Sequence, residues 1–269
     1  MHCFVINMDG ATHRWQHIEQ EFAKAGLQPT RFPARTVRDF PLDFFSWTLD
    51  KFFSEYWTEG EVGCLLSHVE VWKKLVAHDF PSAAIFEDDV IFGIDAKETL
   101  ETITFSNKAT IKKLETTFQP CFLARRPIFS TNKNCYYRLL SQHRGAGGYA
   151  LNQMAARELL EMIAAKPSRA DVLTFTPSML GGRVLVDQLV PALVIQQNFI
   201  NPALRDPLLK STLSEERAKK ALELRLSIWQ RIQGRFTRGL RQVTNRAHGR
   251  RLVIPYRDPT GRLIESPAK

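Results

Sequence analysis

Between residues 60 and 89 three features follow in close succession: GEVGCLLSHVEVWKKLVAHDF, then, after Pro81 and Ser82, the apolar run AAIF, then the carboxylates Glu87, Asp88 and Asp89. This order constrains the fold more than anything else in the chain. Cys64, Leu65, His68, Val69, Trp72, Leu75 and Val76 recur at three- and four-residue spacing, which predicts a helix. AAIF is too short for a helix and reads as a buried strand. A helix feeding a buried strand is the unit of an α/β sheet. In such sheets ligands bind outside the carboxyl ends of the strands, so the three acids stand where a site belongs. On extended chain side chains alternate, which puts Glu87 and Asp89 on one face and Asp88 on the other. Three adjacent carboxylates repel, and hard oxygen ligands suit Mg²⁺ or Mn²⁺. Taken by itself, the same triplet also fits a solvated turn.

The flanking sequence extends the α/β pattern. CFVINM at 3–8 reads as a buried strand. Thr12 is the expected N-cap of a helix whose stripe is Trp15, Ile18 and Phe22, with Gly26 as its stop. PTRFPAR returns to extended chain. Residues 36–60 hold FPLDFFSWTLDKFFSEYW, an aromatic-rich run that fits a lid, an acceptor surface or a core flap. Residues 94–120 read as helical and solvated. CFLARRPIF and CYYRLL suggest strands, and HRGAGGYALNQMAARELLEMIAA a Gly-rich turn, a strand and a helix. LVPALVIQQN reads as the last strand.

The net charge of +9 is unevenly placed. From Lys210 to Arg262 there are fourteen basic residues against four acidic ones, whereas residues 1–209 are close to neutral. Two parts are therefore expected: a catalytic domain over 1–209 and a basic tail over 210–269. Ala218, Leu222, Leu226, Trp229, Ile232, Phe236, Leu240 and Val243 form one apolar stripe, predicting an amphipathic helix over 214–245. Such a helix suits an anionic membrane surface, or packs on the domain with a solvated basic face. After His248 the chain is expected to fray. Clustered Arg and Lys would also serve a nucleic-acid-binding protein, but residues 1–209 are not basic and no recognition motif is present, so that reading is disfavoured.

Other classes are disfavoured by missing patterns. Cys3, Cys64, Cys121 and Cys135 are far apart, with no CxxC pair, a poor zinc and disulfide pattern. MHCFVINMDG has no basic leader, and no apolar segment approaches the length of a membrane span. A cytoplasmic location is expected, with the tail as a peripheral contact to the inner face of the membrane. No GxxxxGK[ST], no GxGxxG after a strand and no GxSxG occurs. His68 and His143 are candidate bases or ligands, though single histidines are more often structural. A metal-dependent hydrolase built on the triplet lacks the additional His and Asp clusters of two-metal sites.

Five blocks in order then resemble a known family. FVINMDGATHR at 4–14, GEVGCLLSHVEVW at 60–72, AAIFEDDV at 83–90, GAGGYALNQMAARELL at 145–160, and RADVL followed by LVPALVIQQ resemble glycosyltransferase family 25, of the lipooligosaccharide galactosyltransferase type. The resemblance spans residues 3–198 and is most specific over 60–90. It departs from the family pattern at Met8, Ala146 and Gly148, which bears on sugar specificity.

The resemblance implies a GT-A-type fold with a mixed, mostly parallel central sheet. It implies a UDP-sugar donor, a glycan or lipid-linked glycan acceptor, and inverting transfer of a hexose, usually galactose. By position Asp89 is the expected Mn²⁺ (or Mg²⁺) ligand, with Glu87 on the metal or the ribose and Asp88 orienting the donor sugar. Asn7, Asp9 and Arg14 are expected beside the uridine and diphosphate, and Glu61, Ser67 and His68 along the donor site. Asp171 is the expected base, or else a cap on the segment that follows it.

Overall fold

The computed structural model describes residues 1–200 and 249–266. The strands are β1 (His2–Asn7), β2 (Thr30–Pro33), β3 (Ser82–Glu87), β4 (Val90–Phe92), β5 (Thr110–Lys113), β6 (Glu115–Thr116), β7 (Cys121–Ala124), β8 (Phe129–Ser130), β9 (Cys135–Arg138), β10 (Gly148–Asn152), β11 (Leu185–Val190), β12 (Val194–Gln196), β13 (Gly249–Leu252), β14 (Tyr256–Arg257) and β15 (Leu263–Ile264). The helices are α1 (Thr12–Lys24), α2 (Leu49–Ser54), α3 (Glu59–Ala77), α4 (Ala96–Glu101), α5 (Gln153–Ala165), α6 (Ala170–Thr174) and α7 (Pro177–Leu180).

Eight strands form the central sheet in the order β2-β1-β3-β10-β5-β11-β9-β8. The pairings β1–β2, β1–β3 and β5–β11 are parallel, and the rest antiparallel. Only β10 and β9 therefore run against the common direction, so the sheet is mixed but mostly parallel. A smaller sheet, β4-β12-β6, carries the chain just beyond the acidic triplet.

Helix α1 buries Ile18 and Phe22, the face its spacing predicts, and Gly26 ends it with φ +67°. Its start differs from expectation: Thr12 is the first helical residue, and the cap is Ala11, with no side-chain cap bond. Helix α3 is the longest described helix. Thr58 and Glu61 close a capping box at its start, satisfying two backbone donors. Leu65, His68, Val69, Trp72 and Leu75 are buried, so the stripe faces the sheet as predicted. Gly63 is fixed by packing, because a Cβ there would lie 2.7 Å from the Arg35 carbonyl. That close approach brings the chain after β2 against α3.

The aromatic run resolves as a core flap. Phe45, Phe52 and Trp57 are buried, with Phe45–Phe52 at 5.5 Å and Phe52–Trp57 at 4.9 Å, both edge to face. Burying such a ring stabilises by roughly 2–3 kcal/mol, which ties this irregular segment to α3. Leu42 and Tyr56 remain exposed.

Two expectations fail. Residues 94–120 are not one solvated helix: α4 is short, and TIKKLETTF supplies β5 and β6, all buried. Their charged side chains look solvated in sequence but are paired inside the protein, Lys113 with Glu115 and Lys112 with Asp187 of β11. Nor does the chain fray after His248. β13 pairs antiparallel with β7, and Ile254 and Tyr256 are buried. The apolar residues between the arginines are what fix it. The helix expected over 214–245 lies outside the described residues, and the boundary at 209/210 falls there too.

Candidate functional site

The parallel strands β1, β2 and β3 end side by side, and a cleft of about 560 Å³ opens at their carboxyl ends. Its walls come from the turn after β1, the chain after β2, the first half of α3, and Glu87–Asp89. The volume is in the range of small-molecule sites.

The three acids take three different environments. Asp88 turns away from its neighbours. It accepts hydrogen bonds from Asn7 Nδ2 at 2.6 Å and Arg14 Nε at 2.8 Å, with a second contact from the Arg14 guanidinium. Asp88, expected to orient a donor sugar, lines the cleft with its carboxylate held by these scaffold donors and its charge balanced by Arg14. Asn7 is buried and accepts from Arg31 Nε at 2.9 Å, and Arg31 in turn pairs with the exposed Asp9 at 3.2 Å. Asn7 and Asp9 thus shape the turn after β1 rather than line the cleft, whereas Arg14 does line it.

Glu87 and Asp89 share a face, as the alternation predicted. The amide of Gln196, at the end of β12, joins them, with Nε2 at 2.7 Å from Glu87 Oε2 and 3.2 Å from Asp89 Oδ1. Burial, and next the Glu87 charge, push the Asp89 carboxyl up to about 7. Glu87 is held below the usual carboxylate range: burial opposes its ionisation, but His68 beside it, Arg14 and Lys113 outweigh that. Arg14 reaches Asp89 at 3.5 Å but is already committed to Asp88. Burial and the Glu87 charge leave the charged form of Asp89 short of compensation, since Arg14 is bound first to Asp88. The Gln196 N–H stands between Glu87 and Asp89 as a neutral donor that both carboxylates accept from. Oxygen donors short of compensation fit a hard divalent cation.

Ser67 Oγ donates to the Gly63 carbonyl at 2.7 Å and accepts from Arg35 N–H at 2.8 Å, pinning the chain after β2 to α3. His68 Nδ1 lies 2.8 Å from the Tyr149 hydroxyl, which also accepts from Trp72 Nε1 at 2.9 Å. Both residues line the cleft. Glu61 does not. Its carboxylate, expected at the donor site, caps α3 and receives Arg169 Nε at 2.6 Å, forming a strut between α3 and the start of α6.

Asp171 is on α6, and its Oδ2 accepts from Gly145 N–H at 3.3 Å. It does not cap its own helix. Gly145 belongs to a buried knot that sequence reasoning missed. Lys113 Nζ donates to the Gly145 carbonyl at 2.5 Å and lies 3.2 Å from Glu115 Oε2, which accepts Gly147 N–H at 3.0 Å. The Gly147 carbonyl accepts Glu87 N–H at 3.0 Å. The GAGG turn thereby connects Asp171 to Glu87 through backbone. Burial, chiefly, raises the Glu115 carboxyl to about 7, with Lys113 opposing. His143 lies behind this knot, buried, with Nδ1 2.9 Å from Gln188 Oε1; burial and then Lys113 drive it down to about 3, so it stays neutral and serves the core. Gly148, where the family pattern has Ala, is explained: a Cβ there would collide with Val194 of β12.

The family description "Glycosyltransferase family 25 (LPS biosynthesis protein)" matches residues 1–174. The "Lipooligosaccharide biosynthesis protein lex-1" of Haemophilus influenzae is 31% identical over 251 residues, covering 81% of this chain and 82% of that protein. The "Lacto-N-neotetraose biosynthesis glycosyltransferase LgtE" of Neisseria meningitidis is 27% identical over 287 residues, covering 93% of this chain and 98% of that protein. Among solved structures, a glycosyltransferase involved in the glycosylation of the major capsid of PBCV-1 aligns with a TM-score of 0.38 and 8% identity, covering 82% of this chain and 100% of that one. With the family description matching well over half of its length, this chain belongs to glycosyltransferase family 25.

Proposed function

We propose that this glycosyltransferase is metal-dependent and inverting, and moves a hexose, galactose, from a UDP-sugar to a lipooligosaccharide glycan acceptor. The observation that carries the reading is the Glu87–Asp89 pair, left short of compensation at the carboxyl ends of three parallel strands. The names of the Haemophilus and Neisseria relatives support the acceptor class.

Asp89 and Glu87 would hold the Mn²⁺ or Mg²⁺, with Gln196 rotating its amide to make room. Bound there, the metal supplies Lewis-acid neutralisation of the leaving diphosphate. Asn7 and Arg14 hold Asp88 and so fix the turn from which Asp89 projects. Ser67 keeps the chain after β2 at the cleft wall. Asp171 is the proposed base, taking the acceptor hydroxyl proton, and the GAGG turn fixes its position relative to Glu87. The basic segment over 214–245 would bring the enzyme to an anionic membrane surface on the cytoplasmic side, where a lipid-linked acceptor is presented.

The test titrates UDP with and without Mn²⁺ against two variants while following transfer. Asp89→Ala is expected to abolish transfer, by a factor on the order of a thousand, and to remove the Mn²⁺-dependent part of UDP binding. Asp171→Asn is expected to abolish transfer with UDP binding intact. Near-normal turnover in Asp171→Asn would place the base elsewhere.

A further inference from the structure

Cys64 and His68 stand one turn apart on the cleft-facing side of α3, since residues four apart share a helix face. Glu87 meets them from the end of β3. The Cys64 Sγ, a His68 ring nitrogen and a Glu87 carboxylate oxygen all lie within 4.8 Å of one another. A second observation is independent of that spacing. His68 is 1% exposed, its Nε2 has no hydrogen-bond partner, and it sits 3.7 Å from Glu87 Oε1, too far for a hydrogen bond. A buried nitrogen left in that state is unfavourable, and a partner would relieve it.

The other ring nitrogen is held in place: His68 Nδ1 lies 2.8 Å from the Tyr149 hydroxyl, which also accepts Trp72 Nε1–H at 2.9 Å. With the ring proton at Nδ1, Nε2 is left to take a cation on the side facing Glu87. A histidine oriented through Nδ1 and open at Nε2 is how metal-ligating imidazoles are held. The partner set also selects the metal. A thiolate and an imidazole favour a soft or borderline cation, and Mg²⁺ or Mn²⁺ gain little from sulfur. Three protein ligands with an open fourth position match a zinc site, in which ligand atoms stand about 3–4 Å apart given metal–ligand distances near 2.0–2.3 Å. Small side-chain rotations close the remaining gap.

We propose that Cys64, His68 and Glu87 form a binding site for a soft divalent cation of the Zn²⁺ class. The Cys64 thiol gives up its proton as the sulfur–metal bond forms. The site goes beyond the proposed donor chemistry and needs neither donor nor acceptor. It shares one ligand, Glu87, with the Glu87–Asp89 pair, so zinc and the donor metal compete, and zinc suppresses transfer.

The experiment uses the full, reduced, chelator-stripped protein, titrated first with Co²⁺ as a spectroscopic substitute and then with Zn²⁺. A thiolate-to-cobalt charge-transfer band is expected, and Zn²⁺ should displace it stoichiometrically. Cys64→Ser should remove the band and weaken Zn²⁺ binding at least tenfold. Cys135→Ser, altering the other partly exposed cysteine, should change neither, because Cys135 is on β9 and is not among the residues lining the cleft. His68→Gln gives an independent reading, with Zn²⁺ affinity again down at least tenfold. Asp89→Asn should keep the band while losing Mn²⁺-dependent UDP binding, which separates failure of this site from failure of the donor reading. The assignment is overturned if wild type shows no band, if the band survives Cys64→Ser, or if His68→Gln leaves Zn²⁺ affinity unchanged.

Discussion

At the end of β3 the chain leaves carboxylates short of cations, whereas on β5, β6 and β11 buried carboxylates are matched. Asp187 receives Lys112 at 2.7 Å and Arg138 at 3.1 Å, and Glu115 receives Lys113 at 3.2 Å. Lys113 also lies 3.9 Å from the centre of the Phe175 ring. In the cleft, Arg14 serves Asp88, and Glu87 with Asp89 share a neutral amide. Both regions bury charge, and burial is expensive without a partner. Where the chain provides the partner, the charge is scaffold. Where it does not, the charge awaits a ligand.

The widest separation between the two regions should appear in stability. Lys113→Met strands Glu115 in the core and should cost about 3–5 kcal/mol, read as a lowered urea midpoint. Asp89→Asn, measured in EDTA, removes a like charge from a buried pair and should leave the unfolding free energy unchanged or raised. A loss of several kcal/mol in Asp89→Asn would put that carboxylate with the scaffold and erase the contrast.

A smaller effect concerns acid. His143 is neutral in the fold, with its pKa lowered from 6.5 to about 3. The unfolded chain therefore binds a proton that the folded one refuses, and stability falls as pH drops below about 6.5. The slope approaches 1.4 kcal/mol per pH unit until the folded pKa near 3 is reached. His143→Gln should flatten this limb of the pH–stability curve. An unchanged slope would show that other groups dominate acid unfolding.

The smallest effect sharpens the boundary of the cleft. Glu61→Gln keeps the α3 cap but loses the ion pair with Arg169, which is 40% exposed. It should cost about 1 kcal/mol or less, in a salt-dependent way, with UDP affinity unchanged. A tenfold loss of UDP affinity at constant stability would return Glu61 to the donor site.

Much of this was legible from local pattern. The helix stripe from Cys64 to Val76, the strand AAIF and the shared face of Glu87 and Asp89 follow from periodicity alone. The aromatic run was legible as apolar but not as a flap, since its contacts with α3 depend on a chain path that no period encodes. Residues 110–118 were misread because Lys112, Lys113 and Glu115 resemble a solvated face until their partners on β11 and in the GAGG turn are known. Gln196 carried no signal as a charge, and its place between two acids depends on β12 pairing with β4.

The sequence by itself determined an α/β chain with carboxylates at a strand's carboxyl end, because hydrophobic spacing and strand alternation are local properties. The ordered blocks determined the family. Only the tertiary structure decided which acid is neutralised. Asp88 and Arg14 are 74 positions apart, and Gln196 is 107 from Asp89. Electrostatics falls off with distance in space, and the fold alone sets that distance.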